Sequence, residues 1–483
     1  MKQRSELQFK NGFKKRFFFT TLILAFGVTI YTLLFTTNTT YNLLWLLPFG
    51  YFVSTLVYYG VFTKINYNYG VVFIVANIII FIRYVLTPFS IVFSSAYSGL
   101  GFGPNPSQTS MSLAIILMVF ELISVYFITI FAILYYKKKQ QSSSELTIKV
   151  LSNKSIIIIF MALTLPIILA VSPDSLIPNT LSSIGDNTEN ISKLPMSGFF
   201  LLIIPVLRLG FLLVSLSFIK KIYDKSNNGF LIILAWLVVF IYLGMLISTS
   251  RWIIVFSSIV CMLVMARLFP KTPKVFYGIL ISMTVVIFAS ISIYKFTWAL
   301  DSSLNPYRGI FNVLFGQFQE YFSGPRVVAQ SLDMVGIFGG QMGLSTLVND
   351  FLGTIPLLSN YVDQNDRINV YFNLYLNVGN VSHIIPMIGN SYAYFPFFPV
   401  LFMLIAQWLM LRFDFKSQNE EHIEFKYIYA YTGLFFAMSM GFNVQIIFGN
   451  FIMYFLLPWF LFSINRRVRL KTSSYRLSNK GGY

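Results

Sequence analysis

The stretch MSLAIILMVFELISVYFITIFAILYY, residues 111–136, carries a single charged residue, Glu121. A helix rising about 1.5 Å per residue crosses a hydrocarbon core of about 30 Å with such a run. Comparable apolar runs recur on both sides of it, at roughly 17–36, 43–62, 70–92, 155–172, 197–218, 230–248, 252–268, 275–295, 394–411, 427–442 and 446–465. With 56% apolar and 11% charged residues among 483, the chain lies outside the range of soluble globules. The expected fold is an all-α polytopic membrane protein of about twelve transmembrane helices, residues 1–483 forming a single integral membrane domain.

An even number of spans returns both termini to one side, and the distribution of Lys and Arg says which. With both termini in the cytoplasm, the inward segments hold 27 of the 35 basic residues. The outward segments hold six, Lys193, Arg251, Lys295, Arg308, Arg326 and Arg367, beside nine of the 17 acids. The net charge of +18 therefore reads as an orientation signal and as contact with anionic lipid headgroups, not as a nucleic-acid surface. Cys261 is the sole cysteine and His383 and His422 are the only histidines, so neither a disulfide nor a Cys- or His-rich metal centre is expected.

Between the ninth and tenth spans, residues 296–394 are too polar to cross a bilayer and form one large extracytoplasmic loop. This loop concentrates arginine on the side that repels it: Arg308, Arg326 and Arg367, with His383 and Glu320 nearby in sequence. GIFNVLFGQFQEYF (309–322) has the spacing of a short amphipathic helix. VVAQSLDMVGIFGG (327–340) is too short to span, and INVYFNLYLNVG (368–379) alternates polar and apolar residues weakly. The segment is too aromatic for disorder and is expected to fold as a cap over the membrane.

Charges also occur where insertion penalises them. Arg83 (IIFIRYVLTP, 79–88), Glu121 and Arg208 (IPVLRLGF, 204–211) lie roughly 14–17 Å below the outer ends of their spans. They read either as a structural Arg–Glu pair or as the lining of a shared polar cavity holding an anionic ligand. Arg251, in the tight turn Thr249-Ser250-Arg251-Trp252, is expected at the outer membrane surface, where a guanidinium can grip a lipid phosphate. No Walker loop, nucleophile elbow, zincin motif or Asp-x-Asp pair occurs, which points away from nucleotide-driven chemistry.

Three features together resemble the bacterial polysaccharide repeat-unit polymerases, the Wzy-type O-antigen and capsule polymerases. They are the Ser250-Arg251-Trp252 turn, the arginine-bearing loop, and PMIGNSYAYFPFF (386–398), in which Pro386, Gly389, Tyr392 and Phe395 match the family's approach to a helix. The chain departs from the family at Pro396, where Gly is usual. It also lacks the Arg-x10-Gly spacing of some members, Gly379 falling one residue late after Arg367. The resemblance implies a glycosyltransferase C-like membrane fold in the bacterial cytoplasmic membrane. It also implies an enzyme that polymerises undecaprenyl-pyrophosphate-linked oligosaccharides for capsule or O-antigen without a cofactor or metal. Its implied partners are membrane lipids, a chain-length regulator and a flippase. On this reading Arg251, Arg308, Arg326, Arg367, Arg208 and Arg83 bind the pyrophosphate-bearing substrate, and His383 or Glu320 is the general base. The alternatives are a lipid-linked oligosaccharide flippase or other transporter, and an O-antigen-ligase-like transferase.

Overall fold

The computed structural model describes residues 2–64, 70–138, 149–151, 154–171, 176, 197–246, 250–296, 310–377 and 383–478. All regular elements among them are helical: α1 (Lys2–Phe35), α2 (Leu46–Lys64), α3 (Val71–Phe81), α4 (Thr87–Phe93), α5 (Gln108–Lys137), α6 (Ser155–Val171), α7 (Ser197–Ser226), α8 (Phe230–Gly244), α9 (Arg251–Leu268) and α10 (Lys274–Phe296). Then follow α11 (Ile310–Tyr321), α12 (Pro325–Phe338), α13 (Leu344–Leu352), α14 (Ile368–Tyr375), α15 (Met387–Tyr394), α16 (Leu401–Asn419), α17 (Ile423–Ala437), α18 (Val444–Phe451) and α19 (Leu457–Ser478). Among the described residues, eight helical segments are long and apolar enough to cross a membrane, and α6 and α8 are shorter apolar helices. The chain is an all-α membrane protein.

Helix α5 shows why. Ser107 caps it by accepting the Ser110 N–H at 3.1 Å, and no Gly or Pro interrupts it before Lys137. One face, including Met111, Ala114, Ile115, Met118, Leu122 and Val125, is buried at helical spacing. The opposite face exposes Leu113, Ile116, Phe120, Ile123, Phe127 and Phe131. A helix apolar all round with one bare face is built for lipid on that side.

Two prolines shape the bundle in the same way. Pro88 and Pro458 each follow a π-helical turn, Ile82–Leu86 and Ile452–Leu456, by two residues. A proline ring collides with the carbonyl four residues back and removes a donor, so the preceding turn widens. At the first site the Thr87 hydroxyl donates to the Ile82 carbonyl at 3.0 Å. The widened turns carry Arg83 and Tyr84 in one case and Tyr454 in the other.

Two expected spans shift. The tenth begins at Leu401, not at 394, because Pro396 and Pro399 break the chain between α15 and α16. The eleventh begins at Ile423, four residues before the apolar run, and takes in Glu424 and Lys426. These charges are packed inside protein: Glu424 lies 3.7 Å from Lys154 and accepts the Leu151 N–H at 3.1 Å and the Ser217 hydroxyl at 3.3 Å. Lys426 donates to the Gln418 carbonyl at 3.4 Å. Every residue of α17 is buried, with α3, α9, α16 and α19 packed around it.

Candidate functional site

The described residues 310–377 and 383–394 form a helical layer packed on the membrane helices. Helix α12 packs on α5, α14 and α15, α11 lies on α4, and α13 meets α18. The stretch expected to alternate weakly, 368–379, is helical from Ile368 to Tyr375, its buried Ile368 and Phe372 four residues apart. Gly389 explains how α15 can lie against α12: a Cβ there would stand 2.1 Å from the Ser331 hydroxyl oxygen and 2.5 Å from its Cβ.

Arg251 is the first residue of α9 and is 6% exposed. Its Nη1 donates to the Ser292 hydroxyl of α10 at 2.9 Å. Its guanidinium carbon stands 4.1 Å from the centre of the Tyr321 ring at the end of α11, with Phe288 at 5.9 Å. Trp252 beside it packs on Phe256, Phe288 and Phe322. Arg251 thus sits at the seam where the α9–α10 hairpin meets the cap, under an aromatic roof.

Glu320 precedes Tyr321 in the chain, and its carboxylate faces Arg326 and the Gly99 turn. Its Oε1 lies 3.7 Å from Arg326 Nη1, with Arg326 1% exposed and the glutamate 14%. Burial raises the Glu320 carboxyl above the usual range, while Arg326 and the Leu100 N–H pull it back. Arg326 donates to the Phe102 carbonyl at 2.7 Å, Gln330 to the same oxygen at 2.8 Å and to Pro104 at 3.0 Å, and Gln319 to Ala96 at 2.7 Å. Arg326 therefore ties the cap to the loop Ser95–Pro106. The loop turns sharply enough to need left-handed backbone at Gly99, Gly101 and Gly103.

His383 packs against Phe102 with ring centres 3.9 Å apart and planes tilted by 60°, its backbone held by Asn373. Burial, and then the charge of Arg326, lower its pKa from 6.5 to about 4. The pKa near 6.5 expected for a histidine base is therefore not what this environment provides. The imidazole is neutral at pH 7 and a weak proton acceptor, whereas burial makes the Glu320 carboxylate more basic than a free one.

The remaining arginines part from this group. Arg367 lies 3.8 Å from Asp350 and donates to Gln364 at 2.8 Å. Asp350 is raised to about 6 by burial and accepts the Tyr394 hydroxyl at 2.5 Å and the Ile368 N–H at 3.2 Å. This cluster latches α13, α14 and α15 together. Arg83 pairs with Glu121 at 3.0 Å, both fully buried, and the Tyr84 hydroxyl donates to the same Glu121 oxygen at 2.9 Å. Of the two readings open for that pair, the geometry matches the structural one. Arg208 has other neighbours, the phenols of Tyr454, Tyr242 and Tyr431. Arg308 lies outside the described residues.

Tyr321, Ser292 and the Ser95–Pro106 loop escaped the sequence reading. Only the loop announced itself, through Gly99-Leu100-Gly101-Phe102-Gly103-Pro104. Among the described residues no three His, Cys, Asp or Glu side chains converge as metal ligands. Comparison with family models, curated proteins and solved structures returns no match.

Proposed function

We propose that this chain polymerises undecaprenyl-pyrophosphate-linked oligosaccharide repeat units into capsular or O-antigen-type polysaccharide at the outer face of the bacterial cytoplasmic membrane. The scaffold is glycosyltransferase C-like, with twelve spans and both termini in the cytoplasm. The observation that carries the reading is Arg251, a buried guanidinium at the start of a membrane helix, roofed by Tyr321 next to Glu320. The charge distribution along the chain and the lipid-facing apolar surface of α5 support the orientation and the setting.

In this reaction a sugar hydroxyl of the acceptor repeat unit attacks the anomeric carbon of the growing chain. Its O–H proton passes to the Glu320 carboxylate, the bond from the anomeric carbon to the pyrophosphate oxygen breaks, and undecaprenyl pyrophosphate departs with the electron pair. Negative charge grows on the leaving oxygen, where a fixed guanidinium in a water-poor site stabilises the transition state more than the ground state. Arg326 holds the loop and Glu320 in place, and His383 packs the wall of the site.

A transport reading draws on Arg208, which is buried mid-helix among tyrosines, where a polar pathway through the membrane is expected. Gene deletion separates the two. Loss of polymer with single repeat units still reaching the surface supports the polymerase, whereas repeat units trapped on the cytoplasmic face overturn it in favour of a flippase.

A further inference from the structure

A second site lies away from the cap. Where the α7–α8 turn, Ser226 to Gly229, meets the α9–α10 turn, Phe269 to Pro273, a cavity of about 360 Å³ opens between Tyr223, Asn227, Ile232, Ile233, Lys271 and Phe276. That volume is within the range of small-ligand pockets, about 300–1,000 Å³. Its position along the membrane follows from α7. At the start of α7, Gly198 abuts the cap so closely that a Cβ would meet the Pro356 carbonyl oxygen at 2.1 Å. Tyr223 comes 25 residues later on the same helix. That is about 38 Å of helix, more than a hydrocarbon core of about 30 Å. The cavity therefore opens at the membrane face opposite the cap.

Its chemistry is divided. Ile232, Ile233 and Phe276 give an apolar wall, and Phe276 is fixed by stacking on Trp236 at 5.5 Å. Among the described residues the charged one in the lining is Lys271, and no acid lines the cavity. Lys220, whose ammonium lies 5.5 Å from the centre of the Tyr223 ring, pairs with Asp224 at 2.5 Å. Tyr223 is held edge-on against Phe269 at 5.4 Å, which keeps the polar corner in shape. An ammonium beside a hydrocarbon wall, at headgroup depth, matches a phosphodiester carried on acyl chains.

We propose that this cavity binds the headgroup of an anionic phospholipid. The phosphate sits on Lys271, and the upper acyl chain lies along Ile232, Ile233 and Phe276. The site is independent of the reaction under the cap and stands whichever substrate the cap receives.

The test uses the full chain reconstituted in nanodiscs of mixed phosphatidylglycerol and phosphatidylcholine, extracted in mild detergent, with retained lipid counted by native mass spectrometry. Wild type retains phosphatidylglycerol in preference to phosphatidylcholine. Lys271→Gln lowers that retention about fivefold, the effect of one surface cation worth about 1 kcal/mol. Lys221→Gln, the same charge change outside the cavity, leaves it unchanged. Gly229→Trp fills the mouth at full charge and gives the same loss as Lys271→Gln, since a Cβ at Gly229 meets no atom within 4 Å. Equal loss in Lys221→Gln, or unchanged retention in both cavity variants, overturns the proposal. Displacement of the lipid by inorganic phosphate also overturns it, in favour of a soluble phosphate ligand.

Discussion

Removing Glu121 alone and removing it together with Arg83 will have opposite consequences. The two charges stand 3.0 Å apart with neither exposed. At an effective dielectric constant of about 20 their attraction is about 5 kcal/mol, and desolvation costs several kcal/mol per ion. Relative to an apolar pair the net contribution is therefore small. Glu121→Leu is different, because it strands a buried guanidinium and costs about 3–5 kcal/mol. The Tyr84 hydroxyl is not orphaned, since it also donates to the Met118 carbonyl at 2.9 Å. Arg83→Met with Glu121→Leu recovers most of that loss. The assay is built into the chain: Cys261 is the sole cysteine and is fully buried, so a thiol-reactive fluorophore reports unfolding directly. The single variant is expected to unfold at a clearly lower temperature and the double variant near wild type. A single variant with the wild-type midpoint, or a double variant as unstable as the single, refutes the structural role of this pair.

Other outcomes follow from the cap. His383 titrates at about 4 in the fold against 6.5 when free, so the unfolded state takes up its proton first. Its contribution is complete above pH 6.5 and is lost as pH falls toward 4. His383→Gln will therefore show a shallower acid loss of stability in that window, and identical pH profiles would contradict the burial of the ring. Gly389→Ala is expected to cost about 1–3 kcal/mol through overpacking against Ser331, with partial rescue by Ser331→Gly. No rescue would show that the close approach is not the cause. Arg326→Lys shortens the side chain whose Nη2 donates to both the Phe102 and Gly103 carbonyls and makes the Ser95–Pro106 loop more susceptible to limited proteolysis. An unchanged cleavage rate would sink that role.

The membrane class was legible because a lipid-facing helix must be apolar over its whole span, and α5 reads that way apart from Glu121. The boundaries near Glu424 and Lys426 were not legible. A hydropathy reading treats a charge as facing solvent, whereas Lys154 and Leu151 satisfy Glu424 from a distant part of the chain and the Gln418 carbonyl at the end of α16 satisfies Lys426. The same limit applies to the arginines. Sequence placed Arg251, Arg326 and Arg367 together in one outward layer. Only the fold separates Arg326, spent on backbone carbonyls, and Arg367, beside Asp350, from Arg251, set beneath an aromatic ring. Tyr321 could not be distinguished among 29 tyrosines, because its meaning lies in a contact with a residue 70 positions away.

The most direct test of the proposed chemistry is the initial rate of polymer formation from lipid-linked repeat units in proteoliposomes carrying wild type or Arg251→Ala. Thiol accessibility of Cys261 verifies that both are folded. Loss of a preorganised charge at the leaving group is expected to lower kcat about 100-fold or more at equal protein abundance, leaving single repeat units unextended. Polymer of normal length formed at the wild-type rate by folded Arg251→Ala would contradict the account.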